Sequence, residues 1–126
     1  HDLHGAEFAR NYLTENNYSQ EIIDSVYQAC LSHCAEDKQP KTLEAKILAA
    51  ADALSHFDNG FYLKVLNAWS QNEEDYETLR ARLVEKIERD FHQKILLDKV
   101  KQAVKPMYEA WKTVLGEVEI GQLNKN

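Results

Sequence analysis

Three features of the sequence predict an all-α fold, a compact bundle of about five to seven helices. Only four Gly and two Pro occur in 126 residues, which disfavours the turn-rich sandwiches and barrels. Apolar residues recur every three or four positions along most of the chain. No stretch alternates apolar and polar residues as a half-buried strand does, and there is no internal repeat or low-complexity tract. Domains commonly run to about 100–150 residues, so a single helical domain over 1–126 is expected.

The first helix spans about 3–16, where Ala6, Ala9 and Leu13 form a stripe with Phe8 and Tyr12 beside it. Asn16 and Asn17 offer a left-handed stop. Ser19 is the expected N-cap of the second helix, with Glu21 in its first turn, and Ile22, Val26, Ala29, Cys30 and His33 follow on one side. The charges and proline of "AEDKQPK", 35–41, make a loop, and Thr42 caps a third helix reaching residue 57. "DNG" at 58–60 is a turn signal, after which Phe61, Val65, Leu66 and Trp69 predict a short fourth helix. "SQNEED" is a polar break.

From 74 to about 104, Tyr76, Leu79, Leu83, Ile87, Phe91 and Ile95 repeat with charges between them, enough for one or two amphipathic helices. Glu85 with Arg89, and Glu88 with His92, have the i,i+4 spacing of supporting pairs. Pro106 lacks the N–H that a helix interior uses, which predicts a kink or break just before it. Met107, Trp111 and Leu115 mark a last helix ending at Gly116, with frayed residues beyond.

Composition narrows the function classes. A formal charge of −6 gives no long-range attraction to nucleic acid. No apolar run approaches the roughly 20 residues that cross a bilayer, and the first residues do not read as a leader, so a cytoplasmic protein without a membrane partner is expected. Neither GxGxxG nor GxxxxGK occurs, which removes support for Rossmann-type and P-loop nucleotide binding. Cys30 and Cys34 lie four apart on one helix and read as reduced core thiols. A zinc or redox site using Cys30, His33 and Cys34 would need a fourth ligand that the sequence does not nominate.

The chemical signal is in "TLEAKILAAADALSHF", 42–57. On a helical wheel Leu43, Ile47, Ala51 and Leu54 form one face, and Asp52 lies roughly opposite, beside Ala45, Leu48 and Ala49. A helix apolar on both sides belongs in the middle of a core, where an ionised carboxylate needs a cation or several donors. A lysine or backbone amides would satisfy it, and so would a metal ion. His33, continuing the apolar side of the preceding helix, supplies the imidazole that joins carboxylate in Zn, Mn and Fe sites.

The run "HDLHGAEFARNYLTENNYSQEIIDSVYQACLSH" followed by "PKTLEAKILAAADAL" resembles the HD superfamily of metal-dependent phosphohydrolases. Members carry, in order, a His ahead of a "GA" helix, a His ending the next helix, and an Asp in an "EAKIL.DAD.L" helix. The resemblance covers residues 1–57 and is most specific from His33 to Leu54, with Ala50 in place of the first acid of "DAD". It divides the chain into a metal-site half, 1–57, and a helical half, 58–126. It implies that Asp52 is the final metal-binding Asp, that His33 helps bind a second ion, and that His1 is the "HxxxGA" histidine, with His4 the runner-up. His1 and Asp2 stand too close to Gly5 to be the His-Asp pair of the name, so that pair and an earlier histidine are expected upstream of residue 1.

The resemblance therefore implies one or two divalent ions (Mn, Fe, Zn, Ni or Mg) and hydrolysis of a nucleotide or other phosphate ester, with Asp52 and His33 as the catalytic residues. Lys38, Lys41 and Lys46 surround the loop before the third helix and are the candidate phosphate contacts. Phe61, Tyr62 and Trp69 either stack on a base or pack in the core, packing being the commoner role. The competing class is a catalytically inactive helical binding or regulatory module of the same fold.

Overall fold

The computed structural model describes residues 2–36, 38–58, 60–72 and 75–116. It consists of six α-helices and one π-helical turn: α1 (Asp2–Glu15), α2 (Gln20–Ser32), α3 (Leu43–Phe57), α4 (Phe61–Ser70), α5 (Tyr76–Arg89), the π-turn Asp90–Lys94, and α6 (Asp98–Val114). No strand occurs among the described residues. The expected frayed tail, 117–126, lies outside them.

Local chemistry sets the boundaries. Asn17 takes the left-handed conformation, φ 58°, and ends α1. Ser19, Thr42 and Asp75 each accept a hydrogen bond from the backbone N–H three residues on, starting α2, α3 and α5. Gly60 precedes α4 at φ 65°, where a side chain would be strained, and Gly116 follows α6 at φ 73°.

α3 is the hub: α2, α4, the π-turn and α6 all pack against it, while α1 packs on α2. Glu7 of α1 accepts a hydrogen bond from the Tyr27 hydroxyl at 3.0 Å, and Arg10 lies 3.6 Å over the Tyr27 ring centroid. The main core joins Ala53 and Phe57 of α3, Tyr62 of α4, Leu83 and Ile87 of α5, Phe91 and Ile95, and Val104 and Tyr108 of α6. The predicted stripe from Leu79 to Ile95 is buried throughout, with Tyr76 outside it. Phe61 and Trp69 pack against this core and Tyr62 is inside it, as core aromatics.

Two expectations are corrected. Pro106 lies within α6 and neither breaks nor precedes a break. The chain turns instead at Ile95–Leu97, after the π-turn, where Ile95 donates its N–H to the Asp90 carbonyl five residues back. Pro106 is exposed, so the carbonyl its ring leaves unbonded can meet water. The second correction concerns α3, which is not enclosed on all sides. Its buried stripe is Ala45, Ala49, Ala53 and Phe57, with Ala50 alongside, whereas Leu43, Ile47 and Leu54 are 60%, 50% and 37% exposed. Alanine lets neighbouring helices approach closely, and that steric advantage decides which side of α3 faces inward. On α2 likewise, Ile23 is buried and Ile22 exposed.

Candidate functional site

Asp52 sits on the edge of the buried alanine stripe, one turn before His56. Its side chain is 33% exposed, so it is a rim residue with one side toward solvent. Its inward oxygen, Oδ2, accepts a hydrogen bond from the Lys94 ammonium. Lys94 comes from the π-turn and is itself only 3% exposed.

Behind this pair lies Asp90, fully buried. Its Oδ2 receives the Tyr62 hydroxyl at 2.9 Å and His56 Nδ1 at 2.9 Å, with Lys86 Nζ at 3.4 Å. Its Oδ1 lies 3.6 Å from Lys94 Nζ and has no hydrogen-bond partner. The two carboxylates are thus bridged twice. Lys94 reaches both, and the His56 ring, bonded to Asp90 through Nδ1, brings Nε2 to 3.9 Å from Asp52 Oδ1. Phe61 stacks on His56 with centroids 4.1 Å apart and fixes the ring from the outside.

Burial opposes charge on Asp90, but the His56 hydrogen bond and the Lys86, His56 and Lys94 charges outweigh it and leave the carboxyl below the usual range. Burial, and then the Asp90 charge beside it, drives the Tyr62 hydroxyl well up, so it stays a donor. The π-turn makes the arrangement possible. This rare geometry brings both Asp90 and Lys94 inward on a segment whose apolar neighbours Phe91 and Ile95 are also buried.

His33 ends α2 and is half-buried. Its Nδ1 lies 2.6 Å from the Cys30 carbonyl oxygen. A carbonyl only accepts, so Nδ1 donates to it, and Nε2 lies 3.4 Å from Cys34 Sγ. Neither Cys30 nor Cys34 forms a disulfide, and burial pushes the Cys30 thiol up, away from the thiolate a zinc site needs.

Lys38 and Lys41 line a cleft of about 640 Å³ between α2 and α3, together with Gln28, Ser32 and Thr42. Lys46 is half-buried on α3 and is not part of that lining. His4 is exposed on α1, and His1 lies outside the described residues.

In donor chemistry, Asp52 and His33 fit a divalent ion. A backbone carbonyl holding one imidazole nitrogen is a common support of a ligating histidine, and Asp52 keeps one side open. The two do not form a cage alone: among the described residues, no group of three or more His, Cys, Asp or Glu side chains could hold a metal. That statement covers the cysteine alternative as well.

Sequence reasoning singled out Asp52 and missed its partners. Lys94, Asp90, His56 and Tyr62 were legible only as amphipathic charges, a turn-following aromatic and a tail to the alanine helix. The available signal was spacing: Asp90 and Lys94 each stand one residue before a member of the apolar stripe, Phe91 and Ile95. Comparison with protein-family models, curated proteins and solved structures gives no match.

Proposed function

We propose that this chain is a metal-dependent phosphohydrolase of the kind its first 57 residues resemble, acting on a nucleotide or other phosphate ester. One observation carries the reading. Asp52, the acid at the position of the family's final metal-binding Asp, stands at the rim of a buried charged network with one side toward solvent. His33, the imidazole at the end of α2, supports it.

Asp52, His33 and His1 would hold the ion, or two ions, completed by the upstream ligands that the resemblance implies. A bound divalent ion supplies water of lowered pKa and withdraws charge from the phosphoryl oxygen. The chain's own residues do the positioning. Asp90, Lys94 and His56 fix the Asp52 carboxylate, and the Cys30 carbonyl fixes the His33 ring. Lys38 and Lys41, in the cleft beside the end of α2, supply positive charge to a phosphate that the acidic chain otherwise repels.

The test is elemental analysis of the purified protein and hydrolysis of a panel of phosphate esters with added Mn²⁺. Retained metal and hydrolysis, both lost in Asp52→Ala, are expected. Protein that binds no metal and hydrolyses nothing sinks the proposal.

A second reading, a catalytically inactive binding or regulatory module, is favoured by the Lys94–Asp52 pair, because a protein cation already satisfies the carboxylate. It expects Asp52→Ala to change stability and leave the protein metal-free and inert, as before.

A further inference from the structure

The cleft between α2 and α3 is lined only by cationic and neutral residues, in a chain of net charge −6. Lys38 and Lys41 line it from the connecting loop, both exposed, and neither is paired with a carboxylate among the described residues. Glu36, the acid that precedes them, is turned instead to Arg89, 3.1 Å from its Nη1. Two ammonium groups without a counter-charge make a local positive field that draws an anion.

The rest of the lining is neutral, and most of it is polar. Ser32 and Ala45, both buried, close the inner side. The Ser32 hydroxyl donates to the Gln28 carbonyl at 2.9 Å, which leaves its lone pairs as acceptors. Thr42 Oγ1 accepts the Ala45 N–H at 3.2 Å, which leaves its own hydrogen to donate. Gln39 donates through Nε2 to the Ala35 carbonyl at 3.3 Å and keeps its amide oxygen as an acceptor. Gln28, one turn before Ser32, adds a second carboxamide. No aromatic ring of the described residues lines the cleft, because Phe61, Tyr62 and Trp69 pack with the core.

We propose that this cleft binds the phosphate monoester of a small sugar or polyol. Lys38 and Lys41 hold the phosphate dianion, and the Gln28 and Gln39 amides with the Ser32 and Thr42 hydroxyls read the hydroxyl groups of the body. A sugar hydroxyl both donates and accepts, and this lining supplies both kinds of partner. A nucleobase gains its hold largely by stacking on a ring or a guanidinium plane, and the lining offers neither. The cleft volume, about 640 Å³, lies within the roughly 300–1,000 Å³ of small-molecule sites. Lys38 and Lys41 are the phosphate contacts of the phosphohydrolase reading, on which this narrowing of its substrate rests, while the binding itself requires neither an ion nor bond cleavage.

The experiment is calorimetric titration of the full chain, in EDTA, with ribose 5-phosphate, glucose 6-phosphate, AMP, ribose and inorganic phosphate. At least one of the two sugar phosphates is expected to bind at least about tenfold more tightly than AMP and inorganic phosphate, and ribose to give no heat. Replacing both exposed lysines, Lys38→Gln together with Lys41→Gln, is expected to weaken that binding at least about tenfold, and Lys64→Gln, on α4 and outside the lining, to leave it unchanged. Circular dichroism confirms that the variants keep their helices. The proposal is overturned if neither sugar phosphate binds up to about 10 mM, if AMP binds as tightly, if inorganic phosphate binds as tightly (an adventitious ion only), or if binding survives the loss of both lysines. Sugar-phosphate binding in EDTA without hydrolysis of any ester in Mn²⁺ keeps the cleft and sinks the phosphohydrolase. Hydrolysis of esters without sugar-phosphate binding in EDTA does the reverse.

Discussion

The Tyr62 hydroxyl donates to Oδ2 of Asp90 at 2.9 Å, and both side chains are fully buried. This bond ties α4 to the π-turn and places a neutral donor on a carboxylate that also faces His56 and Lys86. Tyr62→Phe keeps the edge-on packing against Phe57 and Trp111, at 5.4 and 5.3 Å between centroids, and removes only the donor. A hydrogen bond to a charged group contributes about 1.5–3 kcal/mol. A loss of that size is expected in urea unfolding. A loss below about 0.5 kcal/mol would mean that Asp90 is satisfied without the tyrosine.

Removing the carboxylate itself should cost more. Asp90→Ala leaves Lys94, 3% exposed, with Asp52 as its one remaining carboxylate and takes from Lys86 the buried carboxylate 3.4 Å from its ammonium. Breaking a buried ion pair by deleting one partner costs about 3–5 kcal/mol. Asp52→Ala, at a rim position, is expected to cost less than half as much. Equal losses at both positions, measured by chemical denaturation, would show that Asp52 and not Asp90 organises the network.

The depressed pKa of Asp90 makes stability depend on pH. Its folded value lies below its unfolded one, because the His56 hydrogen bond and the Lys86 and Lys94 charges outweigh the burial that opposes ionisation. The unfolded chain therefore binds more protons in the window between them. The contribution is fully present above the ordinary Asp value, about 3.9, and is lost as pH falls through the folded pKa. The urea midpoint should fall with acid across that window, and Asp90→Asn should flatten the fall. An acid limb of unchanged slope in Asp90→Asn would place the titration elsewhere.

Helix signals close to the backbone were readable in the sequence because they are local. Ser19, Thr42 and Asn17 act within one turn of themselves, and the structure uses Ser19 and Thr42 as caps and Asn17 as a stop. The Leu79–Ile95 stripe was readable because its period is that of one helix face. What stayed hidden depends on partners distant in sequence. Asp52 was marked as an anomaly, but its cation is 42 residues away, and no pattern within α3 names Lys94. Likewise, a wheel shows that α3 has two apolar sides and not which of them a neighbour will cover. Pro106 misled for the opposite reason: its local preference is real, yet the chain turns at Ile95–Leu97, just after the π-turn that carries the Asp90 and Lys94 contacts.

The two sides of α3 should differ sharply in tolerance. Ala49 and Ala53 are completely buried against neighbouring helices, so Ala49→Leu adds three carbons where helices already touch. Overpacking a close-packed interior costs about 1–3 kcal/mol, and at Ala53 the neighbours include the core that carries Tyr62. Leu43 and Ile47 occupy the exposed side, where substitutions usually change stability by less than about 0.5 kcal/mol. Leu43→Gln and Ile47→Gln should therefore leave the unfolding midpoint nearly unchanged while Ala49→Leu lowers it. Thermal or urea unfolding of the three variants checks the contrast. If the glutamine variants lose as much as the alanine one, the Leu43–Ile47 side is buried in solution, and α3 is enclosed on both faces after all.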